Sequence, residues 1–315
     1  MGGLLAAHLA TVCEVSVLTR RDAHAAALCE QGLRVSGKRD LQVSLFATSH
    51  SRELPEFDLG ILACKAGDLE FATERIAGLC PTAALMTVQN GLGAESLVAD
   101  HGPWPIISAV TFISGTRLSD VHIEYELDAP TWLGPYSHTA TPYRLVEDVG
   151  SLLRASGLQT ESMPDLTGAQ WSKLIFNSAI NTVAALTGLS HVASFAMEDD
   201  FGDLGRLVRA LMEEGVAIAA AAGVILHDDP WQMNLDALAR GETRGSDYAH
   251  PPSMLEDVLA HTPTELEFIT GALLREADLC GVAAPLSEAM YRMVRARETS
   301  WVRGRQHTSA TTAGA

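Results

Sequence analysis

The feature that most constrains this chain is a change of rhythm about halfway along it. Up to roughly residue 160, short strand-like runs alternate with helix-patterned stretches. Residues 14–19 are β-branched and stop at Arg20-Arg21, and residues 23–31 are Ala-rich and helical, closed by Gly32. Residues 58–64 form a continuous apolar run, as a strand covered on both faces should. Helical spacing follows over 68–79, then strand patterns over 83–88 and 106–110 with a helix to about Asp100 between them. This β-α-β-α order predicts an α/β domain built on a doubly wound parallel sheet. Residues 33–35 and 41–46, around Gly37, predict an inserted hairpin, and two runs over 121–136 with no helix between them predict an antiparallel end to the sheet. After Pro164 strand signals almost vanish, and residues 169–186, 203–222, 254–259 and 264–279 all carry helical spacing. The expected division is an α/β domain over 1–165, an all-α domain over 166–302, and a frayed polar tail over 303–315.

Charge narrows the function. Lys and Arg number 22 against 39 Asp and Glu, a formal net charge of −17. Such a chain lacks the basic face that displaces counterions from nucleic acid, and it does not suit an anionic membrane surface. The longest strongly apolar run, 216–226, is too short to span a bilayer, and no cationic region precedes the mildly apolar N-terminus, so no signal peptide is expected. Five scattered cysteines without a C-x-x-C pair read as reduced thiols in a cytoplasmic setting. The histidines are too widely spaced for a compact zinc motif, so no metal is expected.

One helical segment concentrates the chemistry. In residues 171–186 most positions are apolar, yet Lys173, Asn177 and Asn181 recur at four-residue intervals. Each such step drifts only about 40° around a helix, so the three side chains form one stripe. An amphipathic helix with a narrow wet side would also show this pattern. The functional reading is a site wall in which a partly desolvated lysine donates a proton, because burial favours the neutral amine and brings its pKa towards working pH.

Other candidates admit two readings. Arg20-Arg21 follows a strand-like run, where a dinucleotide-binding fold places the residue that reads the ribose. An arginine there suits a 2′-phosphate, although a solvated pair of loop arginines reads the same way. Lys65 and Asn90-Gly91 follow predicted parallel strands, the edge at which open α/β sheets bind ligands, while Asn-Gly is also a common tight turn. Ser253 and Glu265 belong to formal helix-capping boxes, the second with Pro263 at the favoured first helical position. A helix start also attracts an anionic substrate, so capping and binding are compatible.

Taken together, these segments resemble the ketopantoate reductase (2-dehydropantoate 2-reductase) family over roughly residues 1–297. The resemblance is carried by Gln89-Asn90-Gly91-Leu92-Gly93, Trp171-x-Lys173 with Asn177 and Asn181, His250-Pro251-Pro252-Ser253-Met254-Leu255, and Pro263-Thr264-Glu265. It implies a Rossmann domain followed by a helical domain, with the active site in the cleft between them, and an NADPH-dependent reduction of a 2-oxo acid, ketopantoate by default. Lys173 then corresponds to the general acid, and Asn177 and Asn181 to substrate-binding asparagines. Ser253 corresponds to the serine that holds the substrate end, and Glu265 to an acid that contacts cofactor and orients the lysine. Lys65 and Asn90 fall on the cofactor side, with Asn90 near substrate as well. Arg20 corresponds to the 2′-phosphate ligand, and Gly115, in Thr-Phe-Ile-Ser-Gly-Thr-Arg, to a backbone contact with the cofactor.

The chain departs from the family's pattern at its start. The family opens with a strand ending in G-x-G-x-x-G, whereas Gly2 here corresponds to the third glycine only. In the three-two-one-four sheet order the missing strand lies between two others, about 4.8 Å from each, so its loss is expected to leave facing edges unpaired and points to a late start or a truncation. His191 and Thr270 also stand where asparagines are usual, which suggests a substrate other than ketopantoate. Three functions therefore remain open: a ketopantoate reductase of pantothenate biosynthesis, a paralogous reductase of another 2-oxo acid, and a non-catalytic cofactor-binding or interaction protein. A homodimer is compatible with the acidic helical half, and no interface signature decides it.

Overall fold

The computed structural model describes residues 1–191, 195, 202–242 and 251–312. It divides into two compact units, Met1–Gln89 with Ala94–Leu166, and Asn90–Gly93 with Thr167–Ala315. The four-residue loop Asn90–Gly93 thus belongs with the helices, although the sequence places it in the middle of the α/β half.

The first unit opens with α1 (Gly2–Leu9), whose residues Leu4, Leu5, Ala7 and Leu9 are buried. Glycine is needed where this helix lies down: a Cβ on Gly3 would overlap the Ile123 side chain, and one on Gly2 would stand 3.1 Å from Ala63 Cβ. β1 (Ser16–Leu18) and α2 (Asp22–Gln31) follow, then β2 (Leu33–Gly37), β3 (Leu41–Val43) and β4 (Phe46–Thr48). Next come β5 (Leu59–Leu62), α3 (Leu69–Ile76), β6 (Ala84–Thr87), α4 (Ala94–Ala99) and β7 (Ile106–Thr111). Three strands, β8 (Ser114–Ser119), β9 (His122–Leu127) and β10 (Thr131–Pro135), precede α5 (Tyr143–Ala155) and β11 (Thr160–Ser162). All residues of β6 and β7 are buried, as strands covered on both faces require.

The strands form three sheets where the sequence suggests one. The main sheet has the order β11-β10-β7-β6-β5, with β5, β6 and β7 parallel and β10 antiparallel to β7. β1 pairs in parallel with β4 alone, in a two-stranded sheet separate from the five-stranded one. A third sheet, β3-β2-β9-β8, carries the expected hairpin as antiparallel β2 and β3. The stretch 41–46 is not one strand, because its last residue begins β4 and pairs elsewhere. The two runs over 121–136 do not pair with each other either. In β9 burial alternates through Ile123 and Tyr125, which suits a sheet with one covered face, and both share a core cluster with Leu133 of β10.

The second unit is helical. α6 (Thr167–Thr187) supplies Trp171, Leu174, Ile175, Ile180 and Val183 to its core, packed with α7 (Asp203–Ala221), α8 (Pro230–Glu242), α9 (Ser253–Leu259), α10 (Thr270–Cys280) and α11 (Pro285–Thr312). Gly215 of α7 brings that helix against α6, since a Cβ there would lie 2.6 Å from the Ile175 side chain. The helix expected over 264–279 begins later, at Thr270, and the residues just before it are turns. Residues 303–312, expected to be a frayed tail, continue α11. Its start is fastened by Glu214, whose carboxylate accepts the Leu286 and Ser287 amides at 2.9 and 2.8 Å. No helix among the described residues is long and apolar enough to cross a membrane.

Candidate active site

In the second unit the polar stripe on α6 meets a loop and a turn. Asn177 donates from Nδ2 to Asn90 Oδ1 at 3.4 Å, and Asn90 donates from its own Nδ2 to Glu265 Oε2 at 3.4 Å. Glu265 is 8% exposed and Asn181 3%, while Lys173 and Asn177 are half-buried. Desolvation lowers the Lys173 ammonium from 10.5 to about 8, and the negative charge of Glu265 acts in the opposite direction. Lys173, Asn177, Asn90 and Glu265, chosen from distant parts of the sequence, are therefore coupled in one polar network.

The backbone explains how they meet. Gly91 has φ +94°, and any Cβ on it would overlap the Phe268 carbonyl, which accepts the Leu92 amide at 2.9 Å. Only glycine permits this approach, and the same bend presents Asn90 to Glu265. The capping boxes are not. Glu265 starts a turn in which the Phe268 and Ile269 amides return to its carbonyl at 3.1 Å, and its carboxylate receives Asn90. Thr262 bonds instead to the Asp257 carbonyl. Ser253 opens α9 with Pro252 as N-cap and no side-chain capping bond. Among the described residues no hydrogen bond joins Ser253 to the network, and His250 lies outside the described residues.

In the first unit the expected cofactor residues cluster in part. Gly2 lies in the first turn of α1, and Lys65 is exposed just after β5. Lys65 and Arg117 both lie close enough to Met1, at the start of that helix, to act on it electrostatically. Sequence reading missed Arg117; its place two residues beyond Gly115 was the available signal. Gln89 was also missed: its side-chain amide donates to the Leu62 and Cys64 carbonyls at 2.8 and 3.0 Å, tying β6 to the end of β5. Arg20 is exposed, with Nη1 at 3.1 Å from both Asp68 carboxylate oxygens. Gly115 lies at a register irregularity in β8, where a Cβ would stand 2.7 Å from the Glu124 carbonyl oxygen, so strand pairing by itself accounts for a glycine there. Away from these groups, Glu70, Glu74 and His101 bring three ligand-type atoms within 4.8 Å of one another, a grouping that linear spacing does not reveal.

Comparison with known proteins decides the family. Residues 1–138 match the family described as Ketopantoate reductase PanE/ApbA, and residues 165–298 match Ketopantoate reductase PanE/ApbA C terminal. The chain belongs to the ketopantoate reductase family. It is an oxidoreductase, of a family of 2-oxo acid reductases. It is 29% identical over 300 residues to the 2-dehydropantoate 2-reductase of Pyrococcus horikoshii, covering 95% of each chain. The solved 2-dehydropantoate 2-reductase of Geobacter metallireducens GS-15 is 26% identical, with a TM-score of 0.81 over 93% of this chain and 95% of that one. A D-mandelate dehydrogenase solved with NADH and anilino(oxo)acetate shares the fold, with a TM-score of 0.81 and 20% identity over 95% and 96% of the two chains.

Two positions of this ketopantoate reductase family member that depart from the family pattern have distinct surroundings. Thr270 is fully buried and bonds to Ser178 Oγ at 2.9 Å, fixing α10 to the far side of α6. His191 donates from Nε2 to Asn234 Oδ1 at 2.7 Å and stands edge-on to Phe176 and Phe195. Phe176 stands three residues after Lys173 on α6, on a face adjoining the stripe.

Proposed function

We propose that this protein uses NADPH to reduce a 2-oxo acid to the 2-hydroxy acid, with ketopantoate to pantoate as the reaction that its relatives support best. The observation that carries the reading is the half-buried Lys173, its pKa lowered to about 8 beside the Glu265 carboxylate and a row of asparagine amides. An ammonium so placed gives its proton from Nζ to the carbonyl oxygen and stabilises the alkoxide charge that develops only in the transition state. Glu265 keeps Lys173 protonated, and Asn90 and Asn177 present amide donors that orient the oxo acid. Asn181 extends the same row, and the uncapped Ser253 hydroxyl serves the substrate's far end.

The residues of the first unit fit a dinucleotide. The N-terminus of α1, with Lys65 and Arg117 near it, suits a pyrophosphate, and the close packing that Gly2 and Gly3 allow is the role of the third glycine in such folds. Arg20 would take the 2′-phosphate by exchanging its pairing with Asp68, and Gly115 would offer backbone beside the cofactor. Asn90 and Glu265 would serve the cofactor as well as the substrate. The nicotinamide, when bound, supplies the hydride for the carbonyl carbon. Five free cysteines and the vitamin-synthesis default of the family fit a cytoplasmic enzyme of pantothenate biosynthesis.

His191 favours a second reading, a reductase of another 2-oxo acid. An aromatic, hydrogen-bonded ring beside Phe176 offers a substrate side chain an aromatic surface where an asparagine would offer an amide. Both readings meet in one assay, in which NADPH and NADH oxidation are followed against a panel of 2-oxo acids including ketopantoate. Turnover of ketopantoate above the rest supports the first reading, and preference for another oxo acid supports the second. A panel with no turnover and no cofactor binding rejects both.

A further inference from the structure

The segment that carries Glu265 is closed by the Phe268 and Ile269 amides on the Glu265 carbonyl. It is a turn, not a helix, and it follows Thr262 and Pro263, which belong to no helix or strand. What fastens it comes from α11. Glu298, whose side chain is 13% exposed, accepts from the Thr264 amide at 2.9 Å and from the Thr264 hydroxyl at 2.6 Å, both on Oε1. Thr264 Oγ1 in turn accepts the Leu266 amide at 3.2 Å. The residues on either side of Glu265 are therefore bound, directly or through one hydroxyl, to a single carboxylate oxygen. Hydrogen bonds to an ionised acceptor are the stronger kind, and these lie away from bulk water.

The same face of α11 holds the rest of the turn. Tyr291 donates its hydroxyl to Glu267 Oε1, and Arg295 approaches Glu267 Oε1 at 3.3 Å and Glu298 Oε2 at 3.4 Å. Tyr291, Arg295 and Glu298 follow one another at helical i, i+4, i+7 spacing, so one ridge of the helix clamps residues 264–267. At the far end of the turn, the Phe268 carbonyl carries the Leu92 amide and with it the Asn90 loop.

We infer that Glu298 is a positioning residue: through Thr264 it aims the Glu265 carboxylate at Lys173 and at the Asn90 amide, and turnover depends on it although it touches neither substrate nor cofactor. This rests on the reading of Lys173 and Glu265 given above. Among the described residues, the charged groups around the assembly include Glu265 facing Lys173, Arg295 on the second oxygen of Glu298, and Arg275 and Arg295 on Glu267. Loss of Glu298 lets Glu265 withdraw, which weakens its support of the protonated lysine.

The test uses the full chain with NADPH and the 2-oxo acid of the panel that it turns over best, comparing Glu298→Ala, Glu298→Gln, Thr264→Val and Glu265→Gln. Displacement of a catalytic carboxylate by a fraction of an ångström is expected to lower kcat about tenfold in Glu298→Ala, with KM for the oxo acid changed by less than about threefold. The alkaline limb of its kcat/KM profile moves to lower pH, towards that of Glu265→Gln. Glu298→Gln restores most of the rate, because its amide oxygen still accepts both Thr264 bonds. If Glu298→Ala fails to fold, Thr264→Val, which deletes only the hydroxyl, carries the same expectation in smaller measure. The inference is overturned if Glu265→Gln loses activity while Glu298→Ala or Thr264→Val keeps both the wild-type kcat and the wild-type alkaline limb. If Lys173→Ala and Glu265→Gln are themselves as active as wild type, it is the underlying reading that fails.

Discussion

Asn90 donates its side-chain amide to the Glu265 carboxylate at 3.4 Å across 175 positions of sequence. The bond depends on how closely two stretches of main chain approach, because the Phe268 carbonyl fills the space in which a Cβ of Gly91 would stand. The loop that presents Asn90 is thereby built into the helical unit, beside the lysine whose chemistry it shares.

Gly91→Ala is expected to damage both stability and activity. The residue has φ +94°, a conformation that costs a non-glycine residue about 1–3 kcal/mol, and the added methyl would also push against Phe268. Denaturant melts should show a loss of at least that size, with kcat reduced in the fraction that remains folded. A variant with wild-type stability and rate would remove the proposed role of this approach.

The pH dependence follows from Lys173. It must hold a proton in order to donate one, so kcat/KM for reduction is expected to fall as pH rises through about 8. Glu265 raises the lysine's pKa, and Glu265→Gln should therefore move this limb to lower pH. A profile that is flat up to pH 10 would show that the lysine does not titrate as the donor.

Stability should run the other way. Folding lowers the lysine from 10.5 to about 8, so below about 8 the fold carries a desolvated charge, and between these values the unfolded chain holds more protons. Stability from this group rises with pH across that window. Lys173→Met is expected to abolish the rise and to stabilise the protein near neutrality, on the order of 1–3 kcal/mol, while eliminating reduction. Melts of both proteins across pH would check it, and a less stable Lys173→Met protein would count against a strained, functional lysine.

Arg20 should set the choice of cofactor. Its bond to Asp68 is solvent-exposed and weak, so a 2′-phosphate can take its place. Arg20→Ala is expected to weaken NADPH about tenfold or more with little change for NADH, since charge-assisted bonds contribute about 1.5–3 kcal/mol. Asp68→Asn, which frees the guanidinium, should tighten NADPH. Cofactor titrations would measure both, and an equal loss for NADPH and NADH in Arg20→Ala would remove the assignment.

Much of this was legible in the residues, for reasons that differ by element. The α6 stripe was readable because helical periodicity places Lys173, Asn177 and Asn181 on one side whatever the fold around them. Strands β6 and β7 were readable from their apolar runs and are fully buried, whereas residues 58–64, expected to be covered on both faces, form β5 with Leu62 alone of its four residues buried. Partners that depend on long-range pairing were not readable. Nothing in residues 121–136 says that β9 and β10 join different sheets, and nothing in Thr262–Glu265 distinguishes a helix cap from a turn whose acid reaches Asn90. Glu298 escaped for the same reason: it acts on a group far away in sequence, and only the folded backbone brings the two together.

The most direct test of the central claim is single-turnover reduction of the preferred 2-oxo acid by NADPH-saturated protein, comparing wild type with Lys173→Ala. Loss of a positioned proton donor is expected to slow the hydride-transfer step by about 10²–10⁴-fold while NADPH affinity stays within about twofold of wild type. A Lys173→Ala protein that transfers hydride within about threefold of the wild-type rate would contradict the account.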